Sequence, residues 1–282
     1  MKKPSICLIV FAASLLFWGC VSSQNSAPDR GAARLSAESA PFVLETSIPF
    51  DKGDPRGPRF EITLSFPEPA GPDSGLGNLV RELLYKGQSA ADYGNTVAAE
   101  HGKLYAELRD DWMAQGEKPP ESFNWYYTEK AESRTVQVKG LIPGHDKLLV
   151  LVKTTESYLG GAHGNSSTRY FVIDPAAVKP LALDDIFSSR EDLRLLLEAE
   201  LRRQYHLPEG APLSDAGFFE DRVDLPENFF PAEDAGKGRS GGPAEDSPFM
   251  HFFWNAYETA PYVMGPIEIS LPLKSLSPYL RK

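Results

Sequence analysis

Residues 148–173 read Leu148-Leu-Val-Leu-Val-Lys-Thr-Thr-Glu-Ser-Tyr158-Leu-Gly-Gly-Ala-His-Gly-Asn165-Ser-Ser-Thr-Arg-Tyr-Phe-Val-Ile173, and this stretch decides the fold. Leu148–Val152 is apolar at every position, which predicts a strand buried on both faces at the centre of a sheet. It runs through Lys153–Ser157 into a glycine motif, Tyr158–Asn165. Thr168–Ile173 leaves that motif as another apolar run, so the order is strand, glycine loop, strand.

Working outward, Arg59–Phe66 alternates strictly. Phe60, Ile62, Leu64 and Phe66 fall on one face and Arg59, Glu61, Thr63 and Ser65 on the other, predicting a half-buried strand. A first strand is expected around Phe42–Ile48. Leu76, Leu79, Val80, Leu83 and Leu84 predict one helix, and Ala90–Trp112 a second, with Val97, Leu104, Tyr105, Leu108 and Trp112 as its inward stripe. Phe123, Trp125 and Tyr127 restore a period of two, and Thr135–Ile142 is expected as a separate strand. Ser188 with Glu191 reads as a capping box for a helix carrying Leu193, Leu196, Leu197, Leu201 and Tyr205. Residues 215–232 are expected as short strands, Ala235–Asp246 as a flexible glycine-rich loop, and Phe249–Trp254 and Ile267–Leu271 as the last strands. The class is α+β, an antiparallel sheet packed by a few helices.

The N-terminus predicts a compartment. Lys2 and Lys3 precede an apolar run, Ile6–Phe17, too short to span a bilayer as a stable anchor, so residues 1–19 read as a signal peptide. Gly19-Cys20 resembles a bacterial lipobox, with Phe17 and Trp18 departing from its usual residues. Cys20 is then the lipidated N-terminus and residues 20–40 a disordered tether, which places the domain, 41–282, in the cell envelope outside the cytoplasm. The domain divides into an N-terminal half, 41–120, and a C-terminal half, 121–282, which carries the distinctive motifs. Loss of residues 1–19 removes two lysines and no acids, taking the formal charge from −10 to about −12. Such a surface is unsuited to nucleic acid and compatible with a basic partner.

Catalytic signatures are sparse. The histidines at 101, 145, 163, 206 and 251 have no helical metal spacing, and no metal or cofactor is expected. The motif lacks the Lys-Ser/Thr of a phosphate loop and leads into a strand, not a helix. G-x-S-x-G is absent, and nothing marks a base or acid for Ser157, Ser166 or Ser167. Adjacent Asp184 and Asp185 suit a helix N-terminus. Two readings of the motif stay open. Its glycines supply positive φ around a structural His163, or Tyr158, Gly160, Gly161, His163 and Asn165 form a ligand-contacting loop.

Three stretches in order, Tyr158–Asn165, Leu183-Asp-Asp-Ile-Phe187 and Phe253-Trp-Asn-Ala-Tyr257-Glu-Thr-Ala-Pro-Tyr262-Val-Met-Gly265, resemble the RsiV-type extracytoplasmic domain family. The likeness covers roughly residues 123–282, and by this resemblance the segment from Phe42, 41–120, corresponds to the family's more variable N-terminal half and 121–282 to its more family-like half. Leu159 departs from the usual Thr-like residue, and the glycine-rich loop before Phe249 is irregular. The resemblance implies an α+β fold. It also implies the settings in which that domain occurs: a lysozyme-sensing anti-sigma factor, a position upstream of peptidoglycan deacetylase domains, and lipoproteins. Neither the sigma-binding segment nor a deacetylase domain is found here, so those activities are not carried over. The expectation is a lipid-anchored, non-catalytic binding module for a lysozyme-like protein or a cell-wall glycan. Its rivals are an envelope hydrolase using the glycine loop and a purely structural lipoprotein.

Overall fold

The computed structural model describes residues 41–54, 56–69, 74–116, 123–233 and 248–282. The expected signal peptide, tether and glycine-rich loop lie outside them. Among the described residues nine strands form two sheets. Strands β1 (Phe42–Pro49), β2 (Arg59–Phe66), β3 (Trp125–Gln137), β4 (Lys147–Tyr158), β5 (Asn165–Asp174) and β6 (Lys179–Leu181) make a six-stranded sheet in sequence order. Strands β7 (Asn228–Ala232), β8 (Phe249–Trp254) and β9 (Ile267–Pro272) make an antiparallel three-stranded sheet. The fold is α+β, with one departure from a purely antiparallel sheet: β2 and β3 pair in parallel. Between them the chain builds helices α1 (Gly75–Tyr85) and α2 (Ala90–Ala114), and such a crossover returns the next strand in the same direction.

Apolar patterning places the layers. Phe60, Ile62, Leu64 and Phe66 of β2 join Leu149, Leu151 and Ile173 under α1 and α2. Leu148, Val150 and Val172, from the opposite face of β4 and β5, enter a second cluster with Phe230, Met250, Phe252 and Ile269 of the smaller sheet. That cluster also holds Leu193, Leu197 and Leu201 of α4 (Arg190–Gln204). Strand β4 is therefore buried on both faces because the two cores meet across it, as Leu148–Val152 predicts.

Helix α2 approaches β1 along Gly94, Ala98 and Gly102, spaced by four. A Cβ at Gly94 would stand 2.3 Å from the Phe42 ring and one at Gly102 3.1 Å from Ile48 Cδ1. The expected stripe is only partly right. Val97 and Tyr105 are buried, but Leu104 and Leu108 are exposed, because the covered face follows Val97, His101 and Tyr105 in steps of four and leaves positions 104 and 108 to one side of it.

Other local differences have plain causes. Residues 125–137 form one strand, and Val138–Asp146 turns back on Val138 backbone hydrogen bonds instead of forming a further strand. The cap of α4 is Ser189, whose hydroxyl accepts from Asp192 N at 3.1 Å, while Ser188 donates to the Tyr279 carbonyl. Of residues 215–232 only Asn228–Ala232 is a strand; Phe218 and Val223 bury from irregular backbone. In α3 (Leu183–Ile186) Asp185 accepts from Ala182 N and pairs with Lys179, the N-terminal role expected of it.

Candidate functional site: the glycine hairpin and its aromatic rim

The motif is the hairpin joining β4 to β5. Gly160 and Gly161 both take left-handed backbone, with φ of +86° and +104°. A Cβ on Gly160 would meet the Trp125 indole at 3.4 Å, so this turn rests on a buried tryptophan. Tyr158 closes the turn by donating to the Gly161 carbonyl at 3.0 Å. Asn165 is exposed and opens β5 opposite Ser157. All five expected site residues thus sit in one hairpin, and Tyr158 and Gly160 act mainly in shaping it.

His163 is exposed. Its Nδ1 donates to the Gly164 carbonyl at 2.8 Å, which places the proton there and leaves Nε2 toward solvent in the neutral ring. The imidazole stacks on Tyr262, with centroids 4.0 Å apart and planes 17° from parallel. The same Gly164 carbonyl accepts from Tyr262 Oη at 3.0 Å. One carbonyl thus anchors both rings.

Tyr262 belongs to the irregular stretch after β8, and so does Tyr257, whose ring lies 5.6 Å from Tyr262. Tyr257 is 56% exposed and holds φ of +70°. A bulky residue in that region costs about 1–3 kcal/mol and persists only where its surroundings impose it. Asn255 imposes it here. Its side chain accepts from Thr168 N at 2.7 Å and donates to Thr168 O at 3.1 Å, and Glu258 bridges back to both nitrogens of Asn255. The loop is thereby hung on the edge of β5.

The exposed apolar surface continues beyond these rings through Leu159, Tyr126, Val263 and Phe219. Phe219 is held beside them by its N–H on the Thr259 carbonyl, while Phe218 turns inward against Tyr205. The segment 217–227 also brings exposed Glu220, Asp221, Asp224 and Glu227 against one Arg222. The result is an exposed aromatic patch bordered by an acidic segment, in which Glu227 is paired with Arg169. Sequence reasoning found His163 but not Tyr257 or Tyr262 as site residues. Their signal was an aromatic pair in a stretch with no strand or helix period.

Two further histidine–acid pairs serve packing. His145 Nδ1 donates to Asp174 Oδ2 at 3.0 Å while Asp174 Oδ1 accepts from Ala176 and Ala177, tying two turns together. A depression of about 650 Å³ lies there, at the end of β4 and β5 opposite the hairpin. His251 is buried beside Glu268 and Ser270, its ring parallel to Phe230 at 4.6 Å. Among the described residues no three His, Cys, Asp or Glu side chains converge as a metal site.

No family model matches the chain, and no curated protein does. The crystal structure of a DUF3298 family member from Bacteroides fragilis NCTC 9343 is similar at 21% identity, covering 89% of this chain and 95% of that one, with a TM-score of 0.66. A DUF3298 family protein from Pseudomonas aeruginosa PAO1 shares 18% identity over 86% of this chain and 93% of that one, with a TM-score of 0.48. The first of these likenesses shows what this chain is similar to in fold: a member of the DUF3298 family.

Proposed function

We propose that the chain is a lipid-anchored cell-envelope module, of the RsiV type, that binds a basic protein of the lysozyme class through the aromatic patch around His163. The observation that carries this reading is Tyr257: an exposed tyrosine kept in a costly backbone conformation by a dedicated hydrogen-bonded loop. Exposed aromatic clusters larger than scattered single residues mark interaction surfaces, and tyrosine is prominent among residues that carry binding energy. The acidic margin and the negative net charge suit a basic partner, whose approach they would steer. A cell-wall glycan, stacking its sugar rings on Tyr257, is the second reading, favoured by the same exposed ring face. The hairpin does not resemble a hydrolase centre. His163 commits Nδ1 to a backbone carbonyl, so no carboxylate orients it.

Both hydrophobic clusters of the described residues draw only on residues from Phe42 onward, so the segment 41–282 contains its own core. Calorimetry of that segment against a c-type lysozyme at two salt concentrations tests the proposal. Saturable binding at micromolar or tighter affinity, weakened by salt and lost in Tyr257→Ala with an unchanged Tm, is the expected result. Absence of lysozyme binding, with soluble peptidoglycan fragments bound instead, would transfer the site to the glycan reading. Neither binding would overturn it.

A further inference from the structure

The six-stranded sheet treats its two edges differently. On β5, β6 covers only Val172–Asp174, and side chains meet the edge at Tyr170 and Thr168. Asn228 Oδ1 accepts from Tyr170 N at 2.9 Å, and Asn255 takes both the N–H and the C=O of Thr168. Such blocking is how proteins prevent a sheet from pairing with another chain. At the opposite edge β1 pairs with β2 over Phe42–Pro49 without a bulge, and among the described residues its outer side bonds to nothing.

Which groups face outward follows from one bond. Phe50 N donates to Pro58 O at 2.8 Å, so the even-numbered residues of β1 turn their backbone groups toward β2. Val43, Glu45, Ser47 and Pro49 turn theirs outward, and Pro49, having no N–H, stands where none is required by β2. The edge carries no lysine or inward charge, and Val43 is 54% exposed.

We propose that this edge is the contact between two copies of the chain, paired antiparallel about a two-fold axis with Thr46 opposite Thr46. In that register Glu45 and Ser47 of each copy exchange hydrogen bonds with Ser47 and Glu45 of the other, and each Val43 N–H reaches the other copy's Pro49 carbonyl. On the face beneath α2, Leu44 lies opposite Ile48. A shift by one pair in one direction sets Glu45 against Glu45, which like-charge repulsion disfavours. A shift in the other direction sets Ser47 opposite Ser47 but carries Val43 to Asp51, beyond the end of the strand at Pro49, and so shortens the ladder. The register centred on Thr46 is therefore the one that both separates the carboxylates and pairs the whole of Val43–Pro49, and it yields one continuous sheet across both copies.

Segment 41–282 contains no cysteine, the chain's two being Cys7 and Cys20, which makes the register testable by cross-linking. Thr46→Cys stands at a non-hydrogen-bonded pair whose Cα separation suits a disulfide, so oxidation should convert it to a covalent dimer. Leu44→Cys, facing Ile48, should cross-link at less than roughly a tenth of that yield if pairing holds this register. Sedimentation of the unmodified segment should show a concentration-dependent dimer. The surface variant Ser47→Arg, which meets Glu45 twice, should tighten it roughly tenfold. A single monomeric species at every concentration overturns the proposal, as does preferential cross-linking of Leu44→Cys. A monomer that instead takes an unrelated extended peptide along β1 overturns the assignment to a second copy.

Discussion

The imidazole of His163 lies flat on the phenol of Tyr262, 4.0 Å between centroids, and both residues hydrogen-bond the carbonyl of Gly164. Two rings from segments almost a hundred residues apart thus form one surface element. His163→Phe keeps the stacked ring and removes the Nδ1 proton, whereas His163→Ala removes both. If the ring face meets the partner, lysozyme binding should survive in His163→Phe within about threefold and fall by about tenfold or more in His163→Ala. Equal losses in both would assign the effect to the hydrogen bond.

The hairpin glycines should fail for different reasons. Gly160→Ala and Gly161→Ala force a side chain into left-handed backbone at about 1–2 kcal/mol each. Gly164→Ala, without a positive φ, would place its Cβ 3.0 Å from Tyr126 Oη and 3.1 Å from the Ser157 carbonyl. It should therefore displace the carbonyl that holds His163 and Tyr262. Urea unfolding should show modest losses in all three, and calorimetry the larger affinity loss in Gly164→Ala.

Asn255→Ala removes both bonds to Thr168 and the side-chain link to Glu258, leaving only the backbone N–H of residue 255 on Glu258. A cost of about 1–3 kcal/mol is expected from the backbone groups left without partners. Hydrogen exchange at the Thr168 amide should accelerate more than at its neighbours in the sheet, and Tyr257 should lose its fixed position. Unchanged exchange at Thr168 would contradict the role given to Asn255.

Glu129 is 2% exposed and is met by Lys153 Nζ at 2.6 Å, Tyr93 Oη at 2.9 Å and Tyr127 Oη at 2.5 Å. Breaking a buried pair from one side costs about 3–5 kcal/mol, while replacing both partners by apolar side chains is often tolerated. Glu129→Leu alone should therefore destabilise strongly in urea, and Glu129→Leu with Lys153→Met should recover much of the loss.

The same region predicts the alkaline limit of stability. Burial pushes Tyr105 up from 10.0 to about 12, and burial together with the Glu129 carboxylate holds Tyr93 and Tyr127 higher still. Because the folded values lie above the unfolded one, this stability is complete below pH 10 and is lost as pH rises through the folded values. Phenolate absorbance from this buried set should thus appear only with loss of ellipticity.

Much of the architecture is legible in residue patterns. Arg59–Phe66 and Phe249–Trp254 are strands at the expected residues, because each is short, apolar on a regular period and bounded by Pro or Gly. Leu104 and Leu108 mislead because periodicity reports an apolar stripe but not which flank of it is covered. Ser188 was expected as a cap, yet Ser189 takes that role; adjacent serines are equivalent to a sequence rule, and the Tyr279 carbonyl decides between them.

By itself the sequence determined the α+β class, most strand and helix positions, the buried placement of Leu148–Val152 and a glycine hairpin ending in His163. These follow from local periodicity and from the conformations open to glycine and proline. Tertiary structure alone decided the parallel pairing of β2 with β3, the meeting of His163 with Tyr262, and the strained exposure of Tyr257. Among the described residues it also leaves the outer edge of β1 open, while Asn255 caps Thr168 on β5. Each of these depends on contacts between distant segments, and neither a period nor a motif encodes which partner a side chain will find.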